Sequence, residues 1–141
     1  MAAEIQRSEN IVFGKMKLIN NNKKYYEFIR CLRNTARSGF IQQEIIDIDT
    51  HLAHMSIYES CYYICINDGG DPVGYCGVIN DDIRVAVDPK HQGNGIGSFM
   101  ISEIMNKYPN AVAKIKINNS ASIALFEKCG FRKKYYILEK K

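Results

Sequence analysis

The stretch DPKHQGNGIG, residues 88–97, places glycines at three alternate positions, Gly93, Gly95 and Gly97. It follows an apolar run typical of a strand and precedes a segment with the periodicity of a helix. The first turn of a helix leaves backbone N–H groups without intrahelical partners, and glycines permit positive φ angles and a close approach of ligand. The stretch therefore predicts an anion site, for which phosphate or pyrophosphate is the natural ligand.

Three kinds of glycine-rich anion loop compete for this stretch, and the spacing separates them. A P-loop needs Gly-Lys followed by Ser or Thr, which occurs nowhere in the sequence. A dinucleotide fingerprint needs an acidic residue about 20 positions further on, where this sequence reads AKIKIN. The third kind has the pattern Q-x-x-G-x-G, which Gln92, Gly95 and Gly97 match.

Two segments, VAVDPKHQGNGIGSFMI (85–101) and NNSASIALFEKCGF (118–131), resemble the GNAT superfamily of acetyl-CoA-dependent N-acetyltransferases. In element order the resemblance extends over about residues 16–138. It implies that acetyl-CoA is the co-substrate, that the loop backbone grips its pyrophosphate, and that the strand at 85–87 pairs with its pantetheine arm. The cofactor-binding residues that it implies are Val85, Ala86, Val87, Gln92, Gly93, Asn94, Gly95, Ile96, Gly97, Ser98, Asn119 and Phe126.

Acetyl transfer to an amine needs a neutral amine, stabilisation of an oxyanion and a proton for the departing thiolate. By resemblance, a backbone N–H near Val87 meets the oxyanion. The family often carries a tyrosine as the acid in the motif LYEKxGF, but this sequence has Phe126 there. Phenylalanine has no proton to give, so water or a tyrosine such as Tyr135 or Tyr136 would serve, or no acid acts. We expect the missing hydroxyl to cost little.

Two residues are candidates for the catalytic base. Asp82 occupies a position where family members with a short preceding turn often carry a carboxylate, and strand alternation puts it on one face with Arg84. Alternatively, Asp82 only completes a solvated hairpin tip with Asn80 and Asp81. His51 is the second candidate, because an imidazole with a near-neutral pKa accepts the ammonium proton. It could equally bind substrate or complete the core.

A row of arginines, Arg30, Arg33 and Arg37, repeats at helical spacing beside Asn34 and would suit a diphosphate on the acceptor. The alternative is a solvated helix face. The chain from FIRCLRNTARSGFI to IRVAV also resembles the branch of the superfamily that acetylates nucleotide-linked amino sugars, which implies such a sugar as the acceptor. The substrate-binding residues of this hypothesis are Arg30, Arg33, Asn34, His54 and Arg84.

Other functions stay open. A protein amine, a polyamine or an aminoglycoside would undergo the same chemistry, and a sensor or partner module that binds acetyl-CoA without turnover agrees with the absent tyrosine. The net charge of +4 is dispersed, whereas a nucleic-acid surface needs a clustered basic stripe. The five cysteines lie mostly in apolar runs and lack metal-ligand spacing, so we expect reduced core thiols and no metal.

The elements that must position these residues follow the order β-α-α-β-β-β-α-β-α-β. Strands over 111–117 and 132–140 are predicted to extend an antiparallel meander. The predicted apolar faces are Tyr25, Phe28, Ile29 and Leu32 in the first helix, and Ile45, Ile48, Leu52 and Met55 in the second. With the resemblance, this predicts one α+β, GNAT-like domain over residues 1–141, with a mixed central sheet of about six or seven strands and helices on both faces.

With 141 residues, 46% hydrophobic and 24% charged, the chain is typical of one ordinary globular domain. No apolar run approaches the ~20 residues that span a bilayer, and the N-terminus lacks the layout of a secretory signal. We therefore expect a cytoplasmic protein that acts on a small-molecule amine, binds neither membrane nor nucleic acid, and could form a homodimer.

Overall fold

The computed structural model describes residues 16–35 and 44–141, and within them strands and helices combine into an α+β fold, as predicted. The strands are β1 (Lys17–Asn20), β2 (Tyr62–Ile66), β3 (Pro72–Ile79) and β4 (Asp82–Val87). The helices are α1 (Tyr26–Thr35), α2 (Ile48–Tyr58), α3 (Ile96–Lys107) and α4 (Ser120–Lys128).

The strands form one antiparallel meander in the order β1-β2-β3-β4. The hairpin between β3 and β4 turns on Asn80 and Asp81, whose φ angles are 50° and 65°. Asparagine and aspartate tolerate this left-handed region better than other residues with side chains, and two in sequence make the tight turn that matches strand twist. The turn pairs Ile79 with Asp82 and fixes the register of β4. The predicted hairpin tip is confirmed.

Helices cover both faces of the sheet, as predicted. Successive side chains of a strand point to opposite faces, and here both faces carry apolar side chains that need to be covered. On one side, Tyr62, Ile64 and Ile66 of β2 join a buried cluster with residues of α1 and α2. On the other side, Cys65 of β2 belongs to a second cluster with Met100 of α3. The buried side of α1 is also the predicted one, since it includes Ile29 and Leu32.

The buried side of α2 differs from the prediction. Of the predicted apolar set only Met55 is buried, whereas Ile45, Ile48 and Leu52 are 68%, 54% and 44% exposed. The buried residues of the helix are His51 and Met55, one turn apart. A histidine can occupy this buried position because its Nε2 is hydrogen bonded to a backbone carbonyl of α1.

Beyond β4 the sheet ends early. One parallel bridge joins Asp82 to Val112, with hydrogen bonds from Ile83 N to Val112 O (2.9 Å) and from Val112 N to Asp81 O (2.8 Å). The chain then diverges from β4, and the sheet of the described residues has four strands. The prediction of about six or seven strands is therefore wrong, because the segments 113–117 and 132–140 lack the neighbour that a strand's backbone groups require.

The cysteines are free thiols. Cys65 and Cys76 are buried as predicted, whereas Cys31 is exposed and Cys61 and Cys129 are intermediate. In the part of the chain that the structure describes, no helix has both the length and the apolar character needed to cross a membrane.

Candidate functional site

The glycine loop connects β4 to α3 through a short 3-10 turn at Pro89–His91. Gly93 and Gly95 have positive φ angles of 86° and 77°, and Gly95 is the N-cap of α3. Because glycine has no side chain, this cap makes no side-chain hydrogen bond to the first amides of the helix. Backbone donors and the positive end of the helix dipole therefore meet at the loop, which is the arrangement an anion site requires.

Gly97 differs from the other two glycines, because it is needed for packing. A Cβ atom at this position would lie 2.9 Å from Leu125 Cδ2 and 3.8 Å from Val87 Cγ2. Carbon atoms in favourable contact are about 3.5–4.0 Å apart, so the missing side chain lets α3 approach α4 closely. This contact sets the second resembling segment, which contains Asn119 and Phe126, against the glycine loop.

The backbone of β4 alternates between two directions. Just past its end, Asp88 N donates to Val73 O of β3 at 2.8 Å. Ile83 N donates in the opposite direction, to Val112 O at 2.9 Å. Antiparallel pairing repeats every second residue, so even-numbered residues direct their backbone groups toward β3 and odd-numbered residues direct theirs toward the open edge.

The predicted pantetheine strand therefore presents two residues to that edge. The backbone groups of Val85 and Val87 face the gap that opens beyond Val112, where the ladder of the described residues ends. Ala86 pairs with Tyr75 of β3 and buries its side chain in the first core cluster. Only alternate residues of the strand are thus available to a ligand at the edge.

A cavity of about 450 Å³ opens between α1, α2, β4, the segment 113–115 and α4. The predicted site residues that line it are Arg33, His51, His54, Asp82, Arg84, Val85 and Phe126. Sequence analysis missed other lining residues, among them Thr50, Tyr62, Tyr75, Lys114 and Ser122. The two tyrosines carried a signal, because each is a polar-tipped aromatic residue in an otherwise apolar strand.

Tyr62, Gly77 and Arg84 lie directly opposite one another on β2, β3 and β4. Gly77 has no side chain, so no side chain of β3 lies between Tyr62 and Arg84 on this row. Tyr62 Oη forms a hydrogen bond with His54 Nε2 at 2.8 Å. Burial, assisted by the charge of Arg84, lowers the pKa of His54 and agrees with a neutral ring.

His51 is also held as a neutral ring. Its Nε2 lies 2.8 Å from the carbonyl oxygen of Tyr26, which can only accept, so Nε2 carries a hydrogen. Burial lowers the pKa of His51 below its ordinary value. Near neutral pH, the second ring nitrogen, Nδ1, is therefore an acceptor.

Asp82 and Lys114 form an ion pair at the mouth of the cavity. Lys114 Nζ lies 3.2 Å from Asp82 Oδ2, and their side chains are 54% and 28% exposed, respectively. The pair bridges β4 and the segment that diverges from it. Among the described residues, histidine, cysteine, aspartate and glutamate side chains do not cluster in threes as metal ligands would.

Two of the predicted substrate-binding residues form hydrogen bonds with the segment that precedes α2, and they do not line the cavity. Asn34 donates to Ile46 O at 3.0 Å and accepts from Ile46 N at 2.9 Å. Arg30 donates to the same carbonyl at 3.0 Å and forms an ion pair with Glu27. These bonds fix the entry to α2. Arg37, the last member of the predicted row, lies outside the described residues.

Phe126 is buried at the α4 side of the cavity, with its ring edge-on to Phe131 at 5.0 Å between centroids. It offers a hydrophobic surface and no proton. Tyr135 and Tyr136 are 81% and 79% exposed and do not line the cavity. Asn119 is the N-cap of α4, where its Oδ1 accepts from Ser122 N at 3.2 Å.

Comparison with known sequences agrees with these features. The profile of the acetyltransferase (GNAT) family matches residues 25–131. N-alpha-acetyltransferase RimI of Mycobacterium tuberculosis is 29% identical over 91 residues, covering 53% of this chain and 58% of that protein. The chain thus spans little more than half the length of this curated relative.

Solved structures share the fold. Spermidine N-acetyltransferase of Vibrio cholerae, in complex with CoA and spermine, superposes with a TM-score of 0.75 at 16% identity, covering 90% of this chain and 86% of that one. A phosphinothricin acetyltransferase of Sinorhizobium meliloti, in complex with acetyl-CoA, gives 0.72 at 16% identity, covering 84% and 75%. At these identities the likeness is one of fold.

Proposed function

This chain belongs to the GNAT family of acetyltransferases, and we propose that it transfers the acetyl group of acetyl-CoA to a primary amine by direct attack in a ternary complex. The prediction of the GNAT family is confirmed. One observation carries the proposal: the segment after Val112 diverges from β4, which leaves an open strand edge between the glycine loop and the cavity. The edge and loop suit the donor, and the cavity suits the acceptor.

For the donor, the proposed contacts are backbone groups. The outward amides and carbonyls of Val85 and Val87 suit the amides of a pantetheine arm, and the amides of residues 92–98 suit a pyrophosphate. When bound, acetyl-CoA supplies the thioester that the amine attacks. A backbone N–H at Val87 would donate to the developing oxyanion. Two residues at α4 complete the proposed acetyl-CoA contacts. Asn119 is the N-cap of the helix, and Phe126 lies in the cavity wall.

Two groups remain proposed for accepting the proton of the attacking amine. Asp82 has an ionised partner in Lys114, and its carboxylate faces the cavity. His51 is supported by its neutral ring, since Nδ1 can accept a proton while Nε2 stays on the Tyr26 carbonyl. The pH profile of kcat tests the His51 alternative, because a His51 base would lose activity as the pH falls through the lowered pKa of this histidine.

For the departing thiolate we propose no side-chain acid. Phe126 occupies the motif position where the resembling family often has tyrosine, and its ring is packed against Phe131. A thiolate is a tolerable leaving group, so loss of this one hydroxyl does not prevent the reaction. Water at the cavity mouth can protonate it after departure.

For the acceptor, a nucleotide-linked amino sugar remains our proposal. Arg33 and Arg84 support it, because both line the cavity and guanidinium groups suit phosphate. Arg30 and Asn34 support it less, because they are bonded to Ile46. The test is mass spectrometry of mixtures containing acetyl-CoA and a panel of nucleotide-linked amino sugars, other amino sugars, amino acids, peptides and polyamines. One added acetyl group identifies the acceptor.

The donor site has a matched pair of test variants. Gly93 and Gly70 have nearly equal φ angles, 86° and 83°, and a Cβ atom at either would meet nothing within 4 Å. Alanine at either site should therefore cost a similar ~1–2 kcal/mol of stability. Only Gly93→Ala should weaken acetyl-CoA binding, by about tenfold or more, because it holds the ligand away from the loop amides. Equal affinities of both variants and wild type in calorimetry would contradict the donor site.

A further inference from the structure

The wall of the cavity carries an excess of positive charge. Its charged residues are Arg33, Arg84, Lys114 and Asp82. Lys114 and Asp82 largely neutralise each other, since they form an ion pair at 3.2 Å. The two histidines of the wall are neutral rings whose pKa is lowered by burial. Among the charged residues that line the cavity, Arg33 and Arg84 are therefore the two outside the Lys114–Asp82 ion pair.

Building on the proposed acetyl transfer, we propose that the acceptor carries an anionic group, a carboxylate or a phosphate, which Arg33 and Arg84 bind together. The pair would thereby select acidic amines and reject polyamines. The acceptor amine would then lie toward the open edge of β4, where the thioester is proposed to bind.

The two arginines approach the same space from opposite walls, Arg33 from α1 and Arg84 from β4. Burial lowers the pKa of Arg33, and repulsion from the charge of Arg84 acts in the same direction. An anion between two guanidinium groups removes this repulsion and accepts hydrogen bonds from both planar forks. An anion in this space would therefore interact favourably with both guanidinium groups.

Arg84 lies beside an aromatic part of the cavity wall. It is opposite Gly77, which is in turn opposite Tyr62, so no side chain of β3 lies between Arg84 and Tyr62. Tyr62 Oη lies 2.8 Å from His54 Nε2, and the ring of Tyr75 packs against Tyr62 with centroids 5.8 Å apart. A donor with packed neighbours loses less conformational freedom on binding than a mobile surface arginine.

The same charges bear on the amine. A polyamine would bring additional positive charges toward Arg33 and Arg84, and this repulsion opposes its binding. An acidic amine brings a compensating charge, and the nearby guanidinium groups still favour the neutral form of its amino group, which is the form that attacks. At about 450 Å³ the cavity lies within the range of small-molecule sites.

The test compares amines that differ only in the anionic group. Wild type is assayed for CoA release with ethanolamine against O-phosphoethanolamine, propylamine against β-alanine, a UDP-linked amino sugar, and spermidine. We expect kcat/KM to be at least about tenfold higher for the acidic member of a pair. These substrates also show which anionic group is preferred, because β-alanine carries a carboxylate, O-phosphoethanolamine a phosphomonoester and the UDP-linked sugar a diphosphate.

Arg33→Gln and Arg84→Gln should reduce this preference to within about threefold, while Arg84→Lys should retain part of it. Lys17→Gln is the matched control, because it removes one positive charge from an exposed residue of β1 outside the cavity. It should leave the preference unchanged. Spermidine as the better substrate, or a preference that survives in both glutamine variants, overturns the proposal.

If wild type releases no CoA with any amine, the proposed function fails by itself, and an equilibrium measurement decides the anion site. Inorganic phosphate is titrated calorimetrically into wild type and Arg84→Gln in the presence of excess CoA, which competes for the glycine loop. Binding that is about tenfold weaker in the variant supports the site. Equal binding, or none to wild type, rejects it.

Discussion

Gly97→Ala tests whether close packing of α3 on α4 explains this glycine. The new Cβ would lie 2.9 Å from Leu125 Cδ2, so Leu125 must withdraw by about 0.6 Å or more to restore ordinary contact. Overpacking of this kind costs about 1–3 kcal/mol. Replacing glycine by alanine within a helix gains up to about 1 kcal/mol. Because Cδ2 is the end of a flexible side chain, we expect net destabilisation of about 1 kcal/mol.

A double-mutant cycle with Leu125→Ala isolates the contact. With the leucine shortened, Gly97→Ala should become neutral or slightly stabilising, which gives a coupling of about 1–2 kcal/mol. Urea unfolding of the two single variants, the double variant and wild type measures it. Ile123→Ala is the control, because Ile123 is also half-buried on α4 but is not among the nearest neighbours of Gly97. Additive effects of Gly97→Ala and Leu125→Ala would refute the packing argument.

Four further variants probe the cavity. Asp82→Asn should reduce kcat about 100-fold or more. Lys114→Gln breaks the same ion pair but should retain most of the wild-type kcat, and it should change the free energy of unfolding by less than about 1 kcal/mol. Phe126→Ala should lower the free energy of unfolding by about 3 kcal/mol in urea titrations through lost packing. His51 has a lowered pKa in the fold, so the unfolded chain binds its proton first and stability should fall as the pH drops below about 6.5. His51→Asn should flatten that dependence.

Local chemistry made parts of the fold predictable. Asn80 and Asp81 specify their turn because their side chains tolerate positive φ, whatever the rest of the chain does. Ile29 and Leu32 identify the buried side of α1 because the helix rests directly on the sheet. The loop is predictable for the same reason, since a strand, glycines with positive φ and a helix start all lie within one short stretch. The turn and the loop therefore depend on no distant segment, and the buried side of α1 follows from the apolar face of the helix itself.

The errors share a different cause. The spacing of Ile48 and Leu52 correctly indicates a helix. The buried side of α2, however, depends on the cavity wall and on the carbonyl group of Tyr26, which accepts a hydrogen bond from His51. Likewise, the spacing of Arg30 and Asn34 could not reveal that both donate hydrogen bonds to the carbonyl group of Ile46, which lies 16 and 12 residues further along the chain, respectively. Contacts between separate segments decided these positions, and periodicity carries no information about them.

The sheet and the site are linked by the same departure from the predicted strand. The alternating pattern of 111–117 suits a strand, and had it continued beside β4 the ladder would have closed over Val85 and Val87. It pairs only at Val112 and then diverges, so the outward backbone groups of Val85 and Val87 are not in a ladder. A buried amide without a partner costs about 1–3 kcal/mol, so these groups need water or a ligand with amide groups of its own. A pantetheine arm has such groups, and the gap that would admit it also gives the acceptor cavity its β4 wall. A sheet with more paired strands at this edge would therefore leave no open backbone groups for the pantetheine arm that we propose here.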